Sequence, residues 1–190
     1  MSFEIVTDSM SNLTDELIES LGIEVLSLIF RVGDNEYHSY EKGKHADVKK
    51  FYELMRKGEK VATSQITVQS CHEMFESILK KDEDVLFIGF SSALSGSYNA
   101  ARSAAQELQE GYPDRKIVVI DSLSGALAEG LLVQYAALQK KEGKSLEEVA
   151  QWQMDNRLHM SHWFTVDDLI HLQRGGRVSM ATAIVGTVLG

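Results

Sequence analysis

Hydrophobic positions along the chain follow two periods, one typical of strands and one typical of helices. A short β-branched run at residues 3–8 predicts a strand, and the apolar runs at 85–90 and 116–120 predict strands of the kind that a parallel sheet buries on both faces. A longer run at 23–32 predicts another strand. The turn signal Gly33-Asp34-Asn35-Glu36 predicts that residues 37–40 pair back as a hairpin.

Between these runs the apolar residues recur with the spacing of amphipathic helices. Thr14, Thr67 and the pair Ser145/Glu148 are predicted N-terminal caps. The predicted helices cover residues 14–22, 48–58, 67–79, 98–108, 125–141 and 145–159. The alternation of strand and helix predicts an α/β fold with a mainly parallel sheet, right-handed crossovers and a functional edge at the carboxyl ends of the strands.

The end of the chain predicts the start of a second domain. A further strand is expected near 162–166, followed by a short helix that Asp167-Asp168 caps and that Arg174-Gly175-Gly176-Arg177 ends. Residues 181–190 are apolar and carry no stop signal. We therefore expect an N-terminal α/β domain over 1–155, with segment 60–80 packing toward its neighbour. Residues 156–190 would begin a second α/β domain whose remainder is absent.

Composition and charge exclude several classes of protein. The 190 residues carry 28 acidic and 19 basic side chains, a net charge of −9, so no global positive field attracts nucleic acid or an anionic membrane. The apolar stretches are interrupted well before the ~20 residues that span a bilayer. The N-terminus lacks the basic start and apolar core of a secretion signal. We expect a soluble, cytoplasmic protein without stable membrane insertion.

Standard catalytic and metal signatures are missing from the chain. It contains no dinucleotide fingerprint, phosphate loop, zinc-protease motif or nucleophile elbow. Among its six histidines, only His159 and His162 have a suggestive i, i+3 spacing. The single cysteine, Cys71, lies on the apolar face of a predicted helix, as a buried hydrophobe does. We expect no metal, no cofactor and no catalytic residue of the chain's own.

Hydroxyl-rich loops stand where predicted strands stop and helices start. They are Asp8-Ser9, Thr63-Ser64-Gln65, the segment 91–97 and Asp121-Ser122. Hydroxyls and backbone N–H groups at a helix N-terminus bind an anion without a full positive charge. As an alternative, each serine is simply a helix cap. Four such loops at one sheet edge favour a binding site, with contacts predicted from Asp8, Ser9, Thr63, Ser64, Ser95, Gly96, Ser97 and Ser122.

Five motifs in this order resemble the DegV family across the whole chain, and the last is the most specific. They are Ile5-Val6-Thr7-Asp8-Ser9, Thr63-Ser64-Gln65, Ser91-Ser92-Ala93-Leu94-Ser95-Gly96-Ser97-Tyr98, Val119-Ile120-Asp121-Ser122, and Phe164-Thr165-Val166-Asp167-Asp168-Leu169 through Arg174-Gly175-Gly176-Arg177-Val178-Ser179. One position departs from the family pattern, because Ile66 replaces the proline that usually follows Thr-Ser-Gln.

The resemblance implies a bacterial fatty-acid-binding protein of two α/β domains with the lipid between them. Thr63 and Ser95 match the family positions that hydrogen-bond the fatty-acid carboxylate. Such proteins present the lipid to a separate fatty-acid kinase subunit, related to dihydroxyacetone kinases, which makes an acyl phosphate for phospholipid synthesis. Arg174 and Arg177 match the segment near the head group, where a contact with the kinase or the phosphate is implied.

Two other classes of function stay open from the residues alone. The same loops could serve a stand-alone enzyme acting on a phosphorylated metabolite or nucleotide, with Asp8, Asp121 or Asp167 as acid or base. A regulatory or structural protein could use the sheet edge for a partner.

Overall fold

The computed structural model describes residues 2–44, 47–166, 169–179 and 182. The chain divides into two compact units, Met1–Met160 and Ser161–Gly190. The first unit contains the sheets and most of the helices, and the second contains one short helix among its described residues.

A four-stranded parallel sheet forms the centre of the first unit. Its strands are β1 (Phe3–Asp8), β2 (Ile23–Leu26), β6 (Asp84–Gly89) and β7 (Ile117–Asp121). They lie side by side in the order β2-β1-β6-β7, and all three pairings are parallel. The predicted α/β class with a parallel sheet is therefore confirmed, and the carboxyl ends of β1, β6 and β7 meet at one edge.

A second, antiparallel sheet interrupts the predicted strand 23–32. The strands β3 (Ile29–Val32), β4 (Asn35–His38) and β5 (Val61–Ser64) pair in the order β4-β3-β5. The predicted hairpin is confirmed as β3 and β4, whereas the prediction of one continuous strand over 23–32 is wrong. Its break lies at Ser27, whose hydroxyl donates to Leu28 O at 2.8 Å and accepts from Tyr40 N at 3.0 Å. These bonds stop the β2 ladder and redirect the chain.

The helices largely follow the prediction. They are α1 (Asp15–Leu21), α2 (Val48–Arg56), α3 (Val68–Leu79), α4 (Ser97–Gly111), α5 (Ala126–Lys141), α6 (Leu146–Asn156) and α7 (Leu169–Arg174), with a 3-10 turn at Ser9–Ser11. Thr14, Thr67 and Ser145 accept N-cap hydrogen bonds, as predicted. Thr67 and Ser145 form full capping boxes with the third residues of their helices.

Two apolar clusters lie on opposite faces of the parallel sheet, because successive strand residues point to opposite sides. Val6 and Phe87 belong to the cluster that includes residues of α3 and α4, and Ile5 and Leu86 belong to the one that includes residues of α5 and α6. Cys71 is fully buried in the first cluster, and burial raises the pKa of its thiol to about 12. It is a packing residue, as the sequence predicts.

The second unit corrects one prediction. Residues 161–166 form no strand. Trp163 is 98% exposed and Phe164 77% exposed, and no neighbouring strand among the described residues offers a ladder to this segment. The Asp167-Asp168 cap lies outside the described residues. Helix α7 is confirmed, and Gly176, with φ of +77°, follows in the turn that the Gly-Gly pair predicts.

No helix in the described ranges is both long and apolar enough to cross a membrane.

Gly130 lets helix α5 approach the 3-10 turn at the end of β1. A methyl group at this position would lie 2.4 Å from the Ser11 carbonyl oxygen, which belongs to the backbone. We expect Gly130→Ala to lower the free energy of unfolding by about 1–3 kcal/mol, although alanine favours helix. The matched control is Gly111→Ala in α4, where a methyl group meets nothing within 4 Å. Urea unfolding of both variants checks this, and equal stability would contradict it.

Candidate functional site

The loops after β1 and β6 are joined through the carboxylate of Asp8. Its Oδ2 accepts a hydrogen bond from Phe90 N at 2.9 Å, and its Oδ1 accepts one from Met10 N at 3.0 Å. Asp8 is fully buried, and burial raises its pKa to about 6, although the two N–H groups act in the opposite direction. This carboxylate fixes the start of the serine-rich loop relative to β1.

The serine-rich loop 91–97 is also tied to the loop after β7. Ser91 N donates to Ser124 O at 2.9 Å, and Ser92 N donates to Asp121 Oδ1 at 3.1 Å. In return, Ser122 N donates to Gly89 O at 3.1 Å. The three strand-end loops therefore form one hydrogen-bonded edge, as their positions in the sequence suggest.

The Thr63-Ser64-Gln65 segment reaches this edge from the antiparallel sheet. The prediction of four loops at the edge of one sheet is wrong for this segment, because Thr63 and Ser64 are the last residues of strand β5 in the antiparallel sheet, and Gln65 follows. A methyl group at Gly96 would lie 2.0 Å from Gln65 Oε1, so the Gln65 side chain occupies the space that the missing Cβ of Gly96 leaves open. Gln65 thus brings the two motifs together, a role that the sequence analysis did not assign to it.

Ser95 has a hydroxyl proton available for a ligand. Ser97 is fully buried, and its hydroxyl lies 2.9 Å from Ser95 Oγ, its one hydrogen-bond partner in the described ranges. Because a buried O–H needs an acceptor, Ser97 donates to Ser95 Oγ. Ser95 Oγ also accepts from Ser97 N at 3.2 Å. Because Ser95 Oγ accepts both of these hydrogen bonds, its own proton can be donated to another acceptor.

The segments that carry Ser95 and Thr63 offer uncharged donors. Helix α4 begins at Ser97, and the first-turn N–H groups of Tyr98 and Asn99 have no acceptor within the described residues. Thr63 is exposed, and its hydroxyl has no hydrogen bond to any described residue. Neither 61–66 nor 91–99 contains a lysine or arginine. These two segments could therefore hold a small anion through neutral groups.

Other predicted contacts have structural hydrogen bonds. Ser9 Oγ accepts from Leu28 N at 2.9 Å and lies 2.5 Å from Ser39 Oγ. Ser122 is fully buried, and its hydroxyl donates to Ser124 O at 3.1 Å. These bonds, like those of Asp8, position the loops. Direct ligand contacts from Asp8, Ser9 and Ser122 stay predictions.

A buried acid that the sequence analysis missed lies beneath the edge. Glu129 of α5 is fully buried, and its Oε2 has no hydrogen-bond partner among the described residues. Burial, followed by the charge of Asp8, raises its pKa well above the usual value. Thr7 Oγ1 can donate its one proton to Ile88 O at 2.8 Å or to Glu129 Oε1 at 3.3 Å, so the shorter contact competes for the only donor near Glu129 Oε1 among the described residues. The sequence signal that could have identified Glu129 is an acidic residue within a largely apolar stretch of a predicted helix.

Ile66, the position that departs from the family pattern, packs in the core. Its side chain is 1% exposed and packs in the cluster that contains Cys71 and Phe75. At this position the chain buries an aliphatic side chain directly after the Thr-Ser-Gln motif.

The two arginines lie in the second unit. Arg174 ends helix α7, and Arg177 follows in the turn, where its N donates to Leu172 O at 3.1 Å and its guanidinium contacts Gly175 O. Both side chains are exposed. A contact with a kinase or phosphate stays a prediction.

Two open grooves lie away from these loops. One of about 410 Å³ is lined mainly by residues of β7 and α6, with Lys116 just before β7, and one of about 730 Å³ lies beside β2. Neither is lined by Thr63 or Ser95. Across the described ranges, no cluster of three or more His, Cys, Asp or Glu could hold a metal ion.

Replacing Glu129 by Gln tests the buried acid. A raised pKa means that the folded state binds more protons than the unfolded one, so the free energy of unfolding falls as pH rises above the ordinary value of 4.5. Asp8 adds to this fall between pH 3.8 and about 6. We therefore expect the free energy of unfolding of Glu129→Gln, relative to that of the parent protein, to increase as the pH rises from 5 to 8.

Urea unfolding at the two pH values measures this difference. The control is Glu107→Gln, a change at an exposed position of α4 that should leave the pH dependence intact. If Glu129→Gln and the parent lose stability equally with rising pH, Glu129 is not the group responsible.

Comparisons with known proteins agree with this fold and its motifs. The DegV family model matches residues 2–190. A DegV domain-containing protein from Clostridium perfringens is 41% identical over 187 residues, which cover 98% of this chain and 64% of the relative. The chain thus spans slightly under two thirds of that relative's length.

Solved structures show the same architecture. A DegV family protein from Thermus thermophilus, described for its fatty-acid binding, matches with a TM-score of 0.86 and 31% identity over 100% of this chain and 65% of its own. A stearic-acid-binding protein from Eubacterium ventriosum matches with a TM-score of 0.80 and 27% identity over 94% of this chain and 61% of its own. The motifs, the fold and the family model agree, and the chain belongs to the DegV family.

Proposed function

We propose that this chain binds a long-chain fatty acid and holds its carboxylate with the hydroxyls of Thr63 and Ser95. The observation that carries the proposal is the contact of Gln65 with Gly96, which brings the two hydroxyl-bearing segments together. Ser64 adds a nearby hydroxyl, Gly96 leaves room for close approach, and Ser97 orients Ser95. The relatives described as fatty-acid-binding or stearic-acid-binding support the ligand class.

Neutral donors suit this ligand. The acyl tail supplies most of the affinity, because each buried methylene contributes about 0.8 kcal/mol and a ~16-carbon tail roughly 10 kcal/mol before the costs of association. The head group then needs only to be oriented. Hydroxyl and N–H donors also leave more negative charge on the carboxylate than a bidentate arginine does, so its oxygen stays nucleophilic.

In this proposal the chain is a carrier and catalyses nothing alone. A separate kinase subunit would bring ATP in the cytoplasm, and the bound carboxylate oxygen would attack the γ-phosphorus, giving an acyl phosphate and ADP. The product would feed phospholipid synthesis. Arg174 and Arg177 would meet the kinase or the incoming phosphate, and Arg177 is held in its turn by the bond to Leu172 O.

Ser95→Ala should weaken retention of the acyl chain. Loss of a hydrogen bond to a charged group costs about 1.5–3 kcal/mol, so we expect roughly tenfold or greater loss of affinity for oleate. Native mass spectrometry of gently purified protein and titration with oleate measure this. The control is Ser92→Ala, which removes an exposed hydroxyl from the same loop and leaves the Ser92 N bond to Asp121 in place.

Two results would contradict the fatty-acid site. One is equal oleate affinity in the Ser95 and Ser92 variants. The other is thermal stabilisation of the parent protein by nucleotides or sugar phosphates and not by oleate, which would favour the stand-alone enzyme.

Arg177→Ala should slow phosphorylation of the bound fatty acid without weakening its binding. We expect unchanged oleate retention and at least tenfold slower acyl-phosphate formation in the presence of ATP and the cognate kinase subunit, because a cation near the transferred phosphate is lost. Lys144→Ala, at an exposed position of the first unit, is the control. Equal phosphorylation rates in the two variants would exclude the role given to Arg177.

A further inference from the structure

Strand β7 is an edge of the parallel sheet, because β6 is its one neighbour among the described strands. Lys116 O accepts a hydrogen bond from Val85 N at 2.9 Å, so the backbone of Lys116 faces β6. The peptide groups of successive residues point to opposite sides of a strand. Ile117, Val119 and Asp121 therefore turn their N–H and C=O groups away from β6.

These outward groups form an open hydrogen-bonding edge. Those of Ile117 and Val119 have no partner in the described part of the chain. Asp121 O, at the end of the row, accepts from Arg157 Nη1 at 2.7 Å. We propose that a second copy of this chain pairs with this edge, β7 against β7 and antiparallel, so that two four-stranded sheets become one sheet of eight strands. The inference does not depend on the proposed fatty-acid function.

The sequence of β7 does not protect this edge. Proteins commonly block an exposed edge strand with charged side chains or proline. Residues 117–120 are Ile-Val-Val-Ile, without either. The opposite edge strand, β2, carries the exposed Glu24, and the ion pair of Lys42 with Glu19 at 3.3 Å lies in the groove beside it. Of the two edges, β7 is therefore the one suited to pairing.

The outward residues of β7 fit a two-fold axis. In an antiparallel pair, outward residues that lie opposite each other exchange two N–H···O bonds. Placing Val119 opposite Val119 of the second copy puts Ile117 opposite Asp121, and the same pair recurs on the other side of the axis. All three outward residues then occupy hydrogen-bonded positions, as a symmetric contact between identical surfaces requires.

A groove along β7 gives the second strand room and an apolar surface. It has a volume of about 410 Å³ and is lined by Gln109 of α4 and by residues of β7 and α6. Its apolar side chains include Ile117, Val118, Ala150 and Met154, and Met154 is 46% exposed. Burial of these side chains on pairing would add hydrophobic stabilisation to the new hydrogen bonds.

Helix α6 carries opposite charges at its two ends, and the dimer would bring them together. Glu147, at the start of the helix, pairs with Lys116 just before β7. Arg157, after the last turn, reaches Asp121 O on the open edge. Because the two β7 strands run in opposite directions, Glu147 of one copy would lie near Arg157 of the other, twice across the axis. These charges favour the antiparallel arrangement.

Sedimentation velocity of the full chain tests the proposal. We expect a species of twice the mass of one chain at about 100 μM protein, and its dissociation on dilution, because association depends on concentration. Hydrogen exchange locates the contact. The amide protons of Ile117 and Val119 should exchange roughly tenfold or more slowly in the concentrated than in the dilute protein, because pairing gives them acceptors.

Val119→Pro should abolish the dimer. Proline has no N–H to donate, and an outward edge position loses no hydrogen bond within one copy. Circular dichroism shows whether the variant keeps its fold.

The matched control is Val25→Pro in the other edge strand, β2. Ser2 O accepts from Asp84 N at 3.0 Å, so Ser2 faces β6 and, by alternation, Thr7 faces β2. Val25 lies opposite Thr7, and the residue opposite a bonding residue in a parallel pair turns its own N–H away. Val25→Pro therefore also removes an outward N–H and should leave the dimer intact.

Glu147→Lys should weaken association roughly tenfold or more, because it would place a cation beside Arg157 of the second copy. The control is Glu53→Lys, which makes the same change of net charge at an exposed position of α2 and should leave association unchanged.

Three results would overturn the proposal. One is a monomer at every concentration up to about 100 μM. Another is a dimer in which the amides of Ile117 and Val119 exchange as fast as in the monomer, which would assign association to another surface. The third is equal association of the Val119→Pro and Val25→Pro variants. If Val119→Pro does not fold, hydrogen exchange of the parent protein decides.

Discussion

Two backbone N–H groups, from Met10 and Phe90, converge on the buried carboxylate of Asp8 at the edge where three parallel strands end. Both N–H groups are partly buried, and an N–H that loses water without gaining an acceptor costs up to about 1–3 kcal/mol, so the carboxylate stabilises both loops. Glu129 is buried beneath the same edge, and its burial, followed by the charge of Asp8, raises its pKa well above the usual value. The hydrogen bond to Phe90 N fixes the start of the serine-rich loop, and this in turn helps to position Ser95.

Much of this architecture follows from local sequence patterns. The parallel strands are rich in apolar and β-branched residues, and Thr14, Thr67 and Ser145 are residue types favoured at a helix N-terminus. The strand-end loops could be placed at one edge because parallel strands leave no other choice. Thr63 and Ser95 were identified by the motifs around them, and their ligand contact rests on the proposed function.

The remainder depends on contacts between distant residues. The break at Ser27 arises from its bond with Tyr40 N, and strand β5 exists because β3 lies beside it. Gln65 joins the two motifs through its approach to Gly96, which no local sequence pattern indicates. Residues 161–166 have the composition of a strand, but a strand needs a neighbour to satisfy its backbone, and the described residues offer none.

The charge distribution separates the functions that we propose. The proposed carboxylate site would use neutral hydroxyl and N–H donors, which orient an anion without neutralising it. The cations that could meet a phosphate lie elsewhere, at Arg174 and Arg177. A carrier that must load a lipid, hold it and present its head group benefits when these tasks are assigned to different residues.

The most direct test is a crystal structure of the protein grown with oleate. The account predicts electron density for a carboxylate within hydrogen-bond distance of Thr63 Oγ1 and Ser95 Oγ, continuing as an acyl tail along apolar side chains. Density that places the carboxylate on an arginine or lysine, or an acyl chain whose head group lies away from these two hydroxyls, would contradict it.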